Sequence, residues 1–267
     1  MITLGQYINN NSFGHRLDAR VKILATVILS LLIFQARGWE IFLISLFIFT
    51  VCFICRLNFF SVWKALQPLI WFAVLLFALH LFFTDGTVLF TAPYLPVEIT
   101  AEGLSRGLII AWQFIALALC GVLLTMVTSP SDLVHGLTYL LGPLKYLRVP
   151  VQDIAVMVSM SLRFVPTLLE EYDRIKQAQI ARGSAIETGR PARKIKSLAA
   201  LIIPLMVSAF RRADDLTEAM EARGYVRGPR TTLNQQHFGR EEVFALLVLG
   251  VLLSLVLTSQ FLRAPFP

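Results

Sequence analysis

The chain has 267 residues, of which 56% are hydrophobic and 15% charged, with a formal net charge of +7. A soluble domain carries about 45–50% apolar and about 25% charged residues. The balance therefore excludes an ordinary soluble enzyme and makes the lipid bilayer, not nucleic acid, the expected partner of the apolar surface.

The first twenty residues are polar, with Gln6, Asn9, Asn10, Asn11, Ser12, His15, Arg16, Asp18 and Arg20. A cleavable signal peptide runs from a basic start straight into a short apolar core. That pattern is missing, so the apolar run at 21–34 is expected to be kept as a first span, with Lys22 snorkelling at its edge. Four further runs, at 39–55, 66–83, 106–127 and 243–262, each approach the ~20 residues that cross a bilayer. Cys52-x-x-Cys55 has the spacing of half a redox or zinc motif. It lies inside an apolar run without a second ligand pair, so Cys52, Cys55 and Cys120 are read as buried thiols.

Basic residues gather on the cytoplasmic side of membrane proteins. With five spans and a cytoplasmic N-terminus, 21 Lys and Arg lie inside, and only Arg37, Arg106 and Arg263 lie outside. The segment 84–105, with Asp85, Glu98, Glu102, Pro93 and Pro96, reads as a short external loop.

Residues 129–242 hold sixteen of the Lys and Arg. Two long helical patterns run through them, at about 151–180 and 191–221; Pro150 precedes the first, and Pro191 suits the first helical position of the second. The apolar parts, 154–169 and 197–210, are short for a span and have basic residues beyond both ends. They read as helices lying along the inner membrane face or dipping into the bundle. A two-span hairpin is the alternative. The second helix carries a stripe of Leu198, Ile202, Met206, Ala209, Ala213, Leu216 and Met220, opposed by Arg211, Arg212, Asp215, Glu218 and Glu221.

Both patterns share one design: apolar run, proline (Pro166, Pro204), apolar run, charged turns, then Ala-Arg-Gly. The tripeptides are Ala181-Arg182-Gly183 and Ala222-Arg223-Gly224; a third copy, Ala36-Arg37-Gly38, joins two spans on the outer side. Glycine just past a helix end takes the left-handed conformation cheaply. Arginine in a last turn suits the negative end of the helix dipole. A capped helix end is thus the plain reading of any one copy. Only the two in the basic insert follow long amphipathic helices, where each delivers a planar guanidinium suited to a carboxylate. Arg37 is read as part of a tight turn.

With these residues in view, "SLRFVPTLLEE" at 161–171 and "FRRADDLTEAMEARGY" at 210–225 resemble the coupling-helix blocks of the transmembrane T component of energy-coupling factor (ECF) transporters. "HRLDARVK" at 15–22 resembles that family's entry to its first span, with Ala19 where the family has proline. The resemblance covers nearly the whole chain. It implies an all-α polytopic membrane protein of about five transmembrane helices plus two long cytoplasmic or interfacial coupling helices. The implied parts are a four-span membrane part (1–128), a coupling region (129–242) and a final span (243–267). It further implies a non-enzymatic coupling subunit without a cofactor or metal, in a bacterial or archaeal cell membrane. Arg182 and Arg223 would dock two ABC-type ATPases. The apolar parts of the two helices would hold a membrane S component that binds a vitamin or a transition-metal ion such as cobalt or nickel. Apart from the resemblance, a proline inside a helix removes a backbone bond and kinks the axis, so Pro166 and Pro204 are expected to set the angle between the helices.

The residues agree with a division of labour. A P-loop needs G-x-x-x-x-G-K-[ST]; "GSAIETGR" from Gly183 has the wrong spacing and Arg in place of Lys. A self-sufficient permease or an integral membrane enzyme is the rival reading. A permease needs ionisable groups inside its spans, which here offer Gln67, His80, Gln113 and little else. An enzyme calls for clustered Asp or His, yet His15, His80, His135 and His237 lie far apart. Glu170-Glu171 and Asp214-Asp215 are adjacent and do not share a helix face. They read as solvated residues or ion pairs.

Overall fold

The computed structural model describes residues 12–91, 98–183, 191–226 and 239–263. Among these residues it is helical, apart from one short antiparallel ribbon. Polar side chains at the helix heads take up N–H groups that a first turn leaves unpaired. Arg20 N–H donates to Asp18 at 2.9 Å where α2 (Ala19–Gln35) begins, after the single turn α1 (Phe13–Arg16). Phe60 N–H donates to Asn58 at 3.1 Å at the head of α4 (Phe59–Phe83), which follows α3 (Trp39–Ile54). Gly103 N–H donates to Thr100 at 3.0 Å at the head of α5 (Ala101–Val127). Because Thr100 caps it there, α5 starts five residues before the expected span, and the segment 84–105 is partly helix. The remainder of that segment contains β1 (Val88–Thr91) paired with β2 (Glu98–Thr100). Pro93 and Pro96 lie outside the described residues.

The chain divides into two compact units, Met1–Leu140 with Gln235–Pro267, and Leu141–Asn234. In the first unit, α2, α3, α5 and α9 (Arg240–Arg263) share an apolar core that includes Leu32, Ile33, Ile44, Ala116 and Val256. Helix α4 packs on α5 through small residues. A Cβ at Gly103 would sit 2.8 Å from the His80 carbonyl oxygen, and one at Gly107 3.1 Å from that of Phe77. Small residues four apart let two membrane helices approach this closely. Helix α6 (Pro130–Leu140) also belongs to this unit, with Gly136 against Ala19. Large apolar side chains such as Phe42, Phe49, Phe53 and Trp71 stand on the outside, as lipid-facing residues do.

By length and composition, four helices among the described residues suffice to cross a bilayer: α4, α5, α7 (Val151–Ala181) and α9. This differs from the five expected spans at both ends of the count. Helices α2 and α3 have 17 and 16 residues, about 24–26 Å at 1.5 Å per residue. That is a few Å under the ~30 Å hydrocarbon layer. Helix α7 qualifies because it continues without a break through Pro166, so its apolar part belongs to a 31-residue helix.

The second unit holds a 3₁₀ helix (Gly142–Leu147), α7 and α8 (Pro191–Ala222). Helix α8 has 32 residues and is likewise continuous through Pro204. Each rod is about 47 Å long. The two pack together, joined by Arg212, which donates to Glu171 at 3.2 Å.

Candidate functional site

The two rods end alike, and the backbone explains why. Past Ala222, the Gly224 N–H donates to Glu221 O at 2.9 Å and the Tyr225 N–H to Met220 O at 3.0 Å. These are the two reversed bonds of a Schellman cap. Past Ala181, the Gly183 N–H donates to Ile180 O at 2.9 Å. Gly183 and Gly224 have φ of +78° and +72°, the left-handed region. Among the described residues nothing lies within 4 Å of where a Cβ would stand at either glycine, so it is the backbone that calls for glycine.

Each arginine is the residue between helix and glycine. Arg182 N–H donates to Ala178 O at 3.2 Å, and Arg223 N–H to Ala219 O at 3.3 Å. Their backbones are therefore held while their side chains are exposed. Among the described residues no carboxylate pairs with either guanidinium. The result is two cations at the tips of long rods, available to a carboxylate from elsewhere.

The copy at Ala36-Arg37-Gly38 differs. Ala36 is wholly buried in the first unit, and Gly38, with φ of +66°, precedes a helix instead of following one. The Arg37 N–H donates to Glu40 at 3.0 Å, which closes the turn between α2 and α3.

Several polar residues that a permease could have used serve the fold. Gln113 donates at 3.2 Å to the carbonyls of Ile33 and Phe34, at the end of α2. His80 meets Leu76 O at 3.0 Å in its own helix, and His15 meets Ser12 at 2.7 Å. Lys22, expected to snorkel, instead donates at 3.2 Å to both His15 O and Val127 O, so it caps the end of α5. The three cysteines are unbridged, with Cys55 and Cys120 buried and Cys52 half-buried.

One residue escaped the sequence reading, as did the partner of another. Glu40 is wholly buried and accepts the hydroxyl of Ser259, tying the start of α3 to α9. Its signal in the sequence was a carboxylate in a first helical turn, two residues after a glycine. Glu171, one of a doublet read as solvated residues or ion pairs, is ion-paired, and its partner Arg212 makes it the residue that joins α7 to α8. Ala19, where the resembling family has proline, is the first residue of α2. Proline and alanine both fit that position, so the departure leaves the helix start intact.

Apolar-faced helices around a polar-clasped core in one unit, and two long rods with cationic tips in the other, define a polytopic membrane protein. Residues 10–233 match the model of a family described as cobalt transport protein. The chain is 38% identical over 264 residues, 98% of either chain, to the energy-coupling factor transporter transmembrane protein EcfT of Bacillus subtilis (strain 168). It is 42% identical over 261 residues to the EcfT protein of Brevibacillus brevis, covering 96% of this chain and 97% of that one. The EcfT protein of Thermosediminibacter oceani is 38% identical over 263 residues, 98% of either chain. The chain belongs to this family of energy-coupling factor transporter transmembrane proteins. It is a membrane component of a transporter.

Proposed function

We propose that the chain is the coupling subunit of an ECF-type importer in a bacterial or archaeal cell membrane. In this reading it hydrolyses nothing itself. Two ABC-type ATPases dock in the cytoplasm, one on Ala181-Arg182-Gly183 and one on Ala222-Arg223-Gly224. Their cycle moves α7 and α8, and the rods transmit that motion to an S component that holds a vitamin or a transition-metal ion. The exposed apolar residues of the rods, among them Met157, Ile203 and Phe210, are the surface assigned to the S component. Pro166 and Pro204 are assigned the angle at which the rods lie. The N-terminus is placed in the cytoplasm on the charge asymmetry of the short loops.

The observation that carries this reading is the paired construction of the tips. Two rods of 31 and 32 residues each end in a backbone-fixed, exposed arginine followed by a left-handed glycine. A chain that needed only helix ends would not require both guanidiniums to stand clear of the carboxylates among the described residues. The test is co-purification of the tagged full chain from its native membrane, with mass spectrometry of what accompanies it. Two ATPase polypeptides, or one in double amount, are expected in stoichiometric yield together with a small membrane protein. Recovery of the chain alone under conditions that keep membrane complexes intact would overturn the reading.

A further inference from the structure

The docking tips need a fixed relation to one another, and the sequence spacing of the two proline-to-arginine segments does not provide it. Arg182 follows Pro166 by 16 residues, whereas Arg223 follows Pro204 by 19. The cross-helix ion pair restores the symmetry. Arg182 lies 11 residues beyond Glu171, and Arg223 lies 11 residues beyond Arg212. Eleven helical residues make three turns and about 20°, and span about 16 Å. Each arginine's backbone therefore lies about 16 Å along its helix from its own member of the Glu171–Arg212 pair, on nearly the same helix face.

The pair has the chemistry of a clasp. The Glu171 side chain is 11% exposed, against 36% for Arg212 and 74% for Arg174. The same carboxylate oxygen, Oε2, receives Arg174 at 2.5 Å from its own helix and Arg212 at 3.2 Å from the other. One carboxylate thus faces two cations. Arg174 orients Glu171 within α7, and only Arg212 crosses to α8. A charge-assisted bond at a sheltered crossing resists sliding of one rod along the other, because a slip of one residue displaces the partners by about 1.5 Å.

We propose that Glu171 and Arg212 form the pivot of the coupling helices, a positioning pair that holds Arg182 and Arg223 at equal distances from one crossing point. Equal arms let two ATPases of like geometry engage both tips together. This rests on the docking role proposed above for the two arginines.

The test uses the full chain in nanodiscs, in a background lacking Cys52, Cys55 and Cys120. Spin labels are placed at the exposed positions Gln177 and Glu218, beyond the crossing on each rod. The wild-type pairing should give one narrow distance distribution. E171Q and R212Q should each at least double its width, R174Q should leave it unchanged, and the swap E171K/R212E, made together with R174Q to remove the like charge on α7, should narrow it again. In parallel, the yield of co-purified ATPases should fall several-fold in E171Q and R212Q and recover in the swap. A narrow distribution in R212Q overturns the pivot, as does equal broadening in R174Q and R212Q. Broadening that the swap does not reverse also overturns it, since packing and not charge would then be responsible. Failure of the docking role reads differently: R182E/R223E would keep its ATPases while the distance distributions still responded to Glu171 and Arg212.

Discussion

Arg182 and Arg223 offer a clean perturbation, because the structure separates what each residue does for the fold from what its side chain offers outward. The cap bonds use backbone atoms, Arg182 N to Ala178 O at 3.2 Å and Arg223 N to Ala219 O at 3.3 Å, and both side chains are exposed. Replacement by alanine keeps those bonds, so the folded chain should change by no more than about 0.5 kcal/mol. Removing one partner of a buried, hydrogen-bonded charge pair at an interface costs about 2–5 kcal/mol. At 1.4 kcal/mol per tenfold, that is a loss of about 30- to 4,000-fold in affinity at the affected site. The single variants should lose less assembly than this, because the second tip raises the local concentration of the first. The double variant should lose the ATPases almost completely. Glutamate should be worse than alanine at either position, since it would set like charge against the carboxylate that the docking proposal assigns to the partner. The assay is tagged pull-down of the ATPases with thermal unfolding of the isolated chain as the control for folding. Arg37→Ala, in the turn between α2 and α3, should keep full assembly. If Arg37→Ala and Arg223→Ala give the same phenotype, or if the double variant retains its ATPases, the docking argument fails and all three tripeptides are only chain turns.

Further outcomes follow from the same geometry. Gly224→Asn should lower thermal stability less than Gly224→Val, because φ of +72° penalises a β-branched residue while open space surrounds the Cβ position; equal melting temperatures would show the cap to be dispensable. Gly103→Ala should destabilise the first unit by about 1–3 kcal/mol in detergent unfolding, since the added Cβ meets the His80 carbonyl at 2.8 Å, and a wild-type transition would refute the close α4–α5 approach. Pro204→Ala should leave ATPase binding nearly intact and impair uptake, measured in cells that depend on the importer; normal uptake would remove any mechanical role for the proline. On the five-span reading with a cytoplasmic N-terminus, in which α2 and α3 cross despite their length and α7 does not, a cysteine label at position 263, in a chain lacking its three native cysteines, should be reached only from outside the cell. Labelling from the cytoplasm would overturn that reading and match an even number of spans, as the four helices of crossing length would give.

The long helices were legible from the amino-acid order because their signals are local. Apolar runs, a proline at a helix head and a glycine past its end act within a few residues. The periods 151–180 and 191–221 accordingly lie within a residue of α7 and α8. The Ala-Arg-Gly ends were legible for the same reason, since a left-handed glycine needs only its own backbone. Span number was less so: α2 and α3 fall short of crossing length and α7 reaches it, because helix length depends on where caps form and on whether a proline interrupts the rod.

What the order of residues determined by itself was thus where the long helices run, which of their faces are apolar, and that two rods end in an arginine followed by glycine. Only the tertiary structure decided which polar group meets which. Gln113 finds Ile33 O across 80 positions, Lys22 finds Val127 O across 105, Glu40 finds Ser259 across 219, and Glu171 finds Arg212 across 41. Periodicity specifies the face on which a side chain lies but carries no information about the helix opposite it. That choice comes from packing, where burial makes an unpaired polar group costly and so selects the arrangement that pairs it.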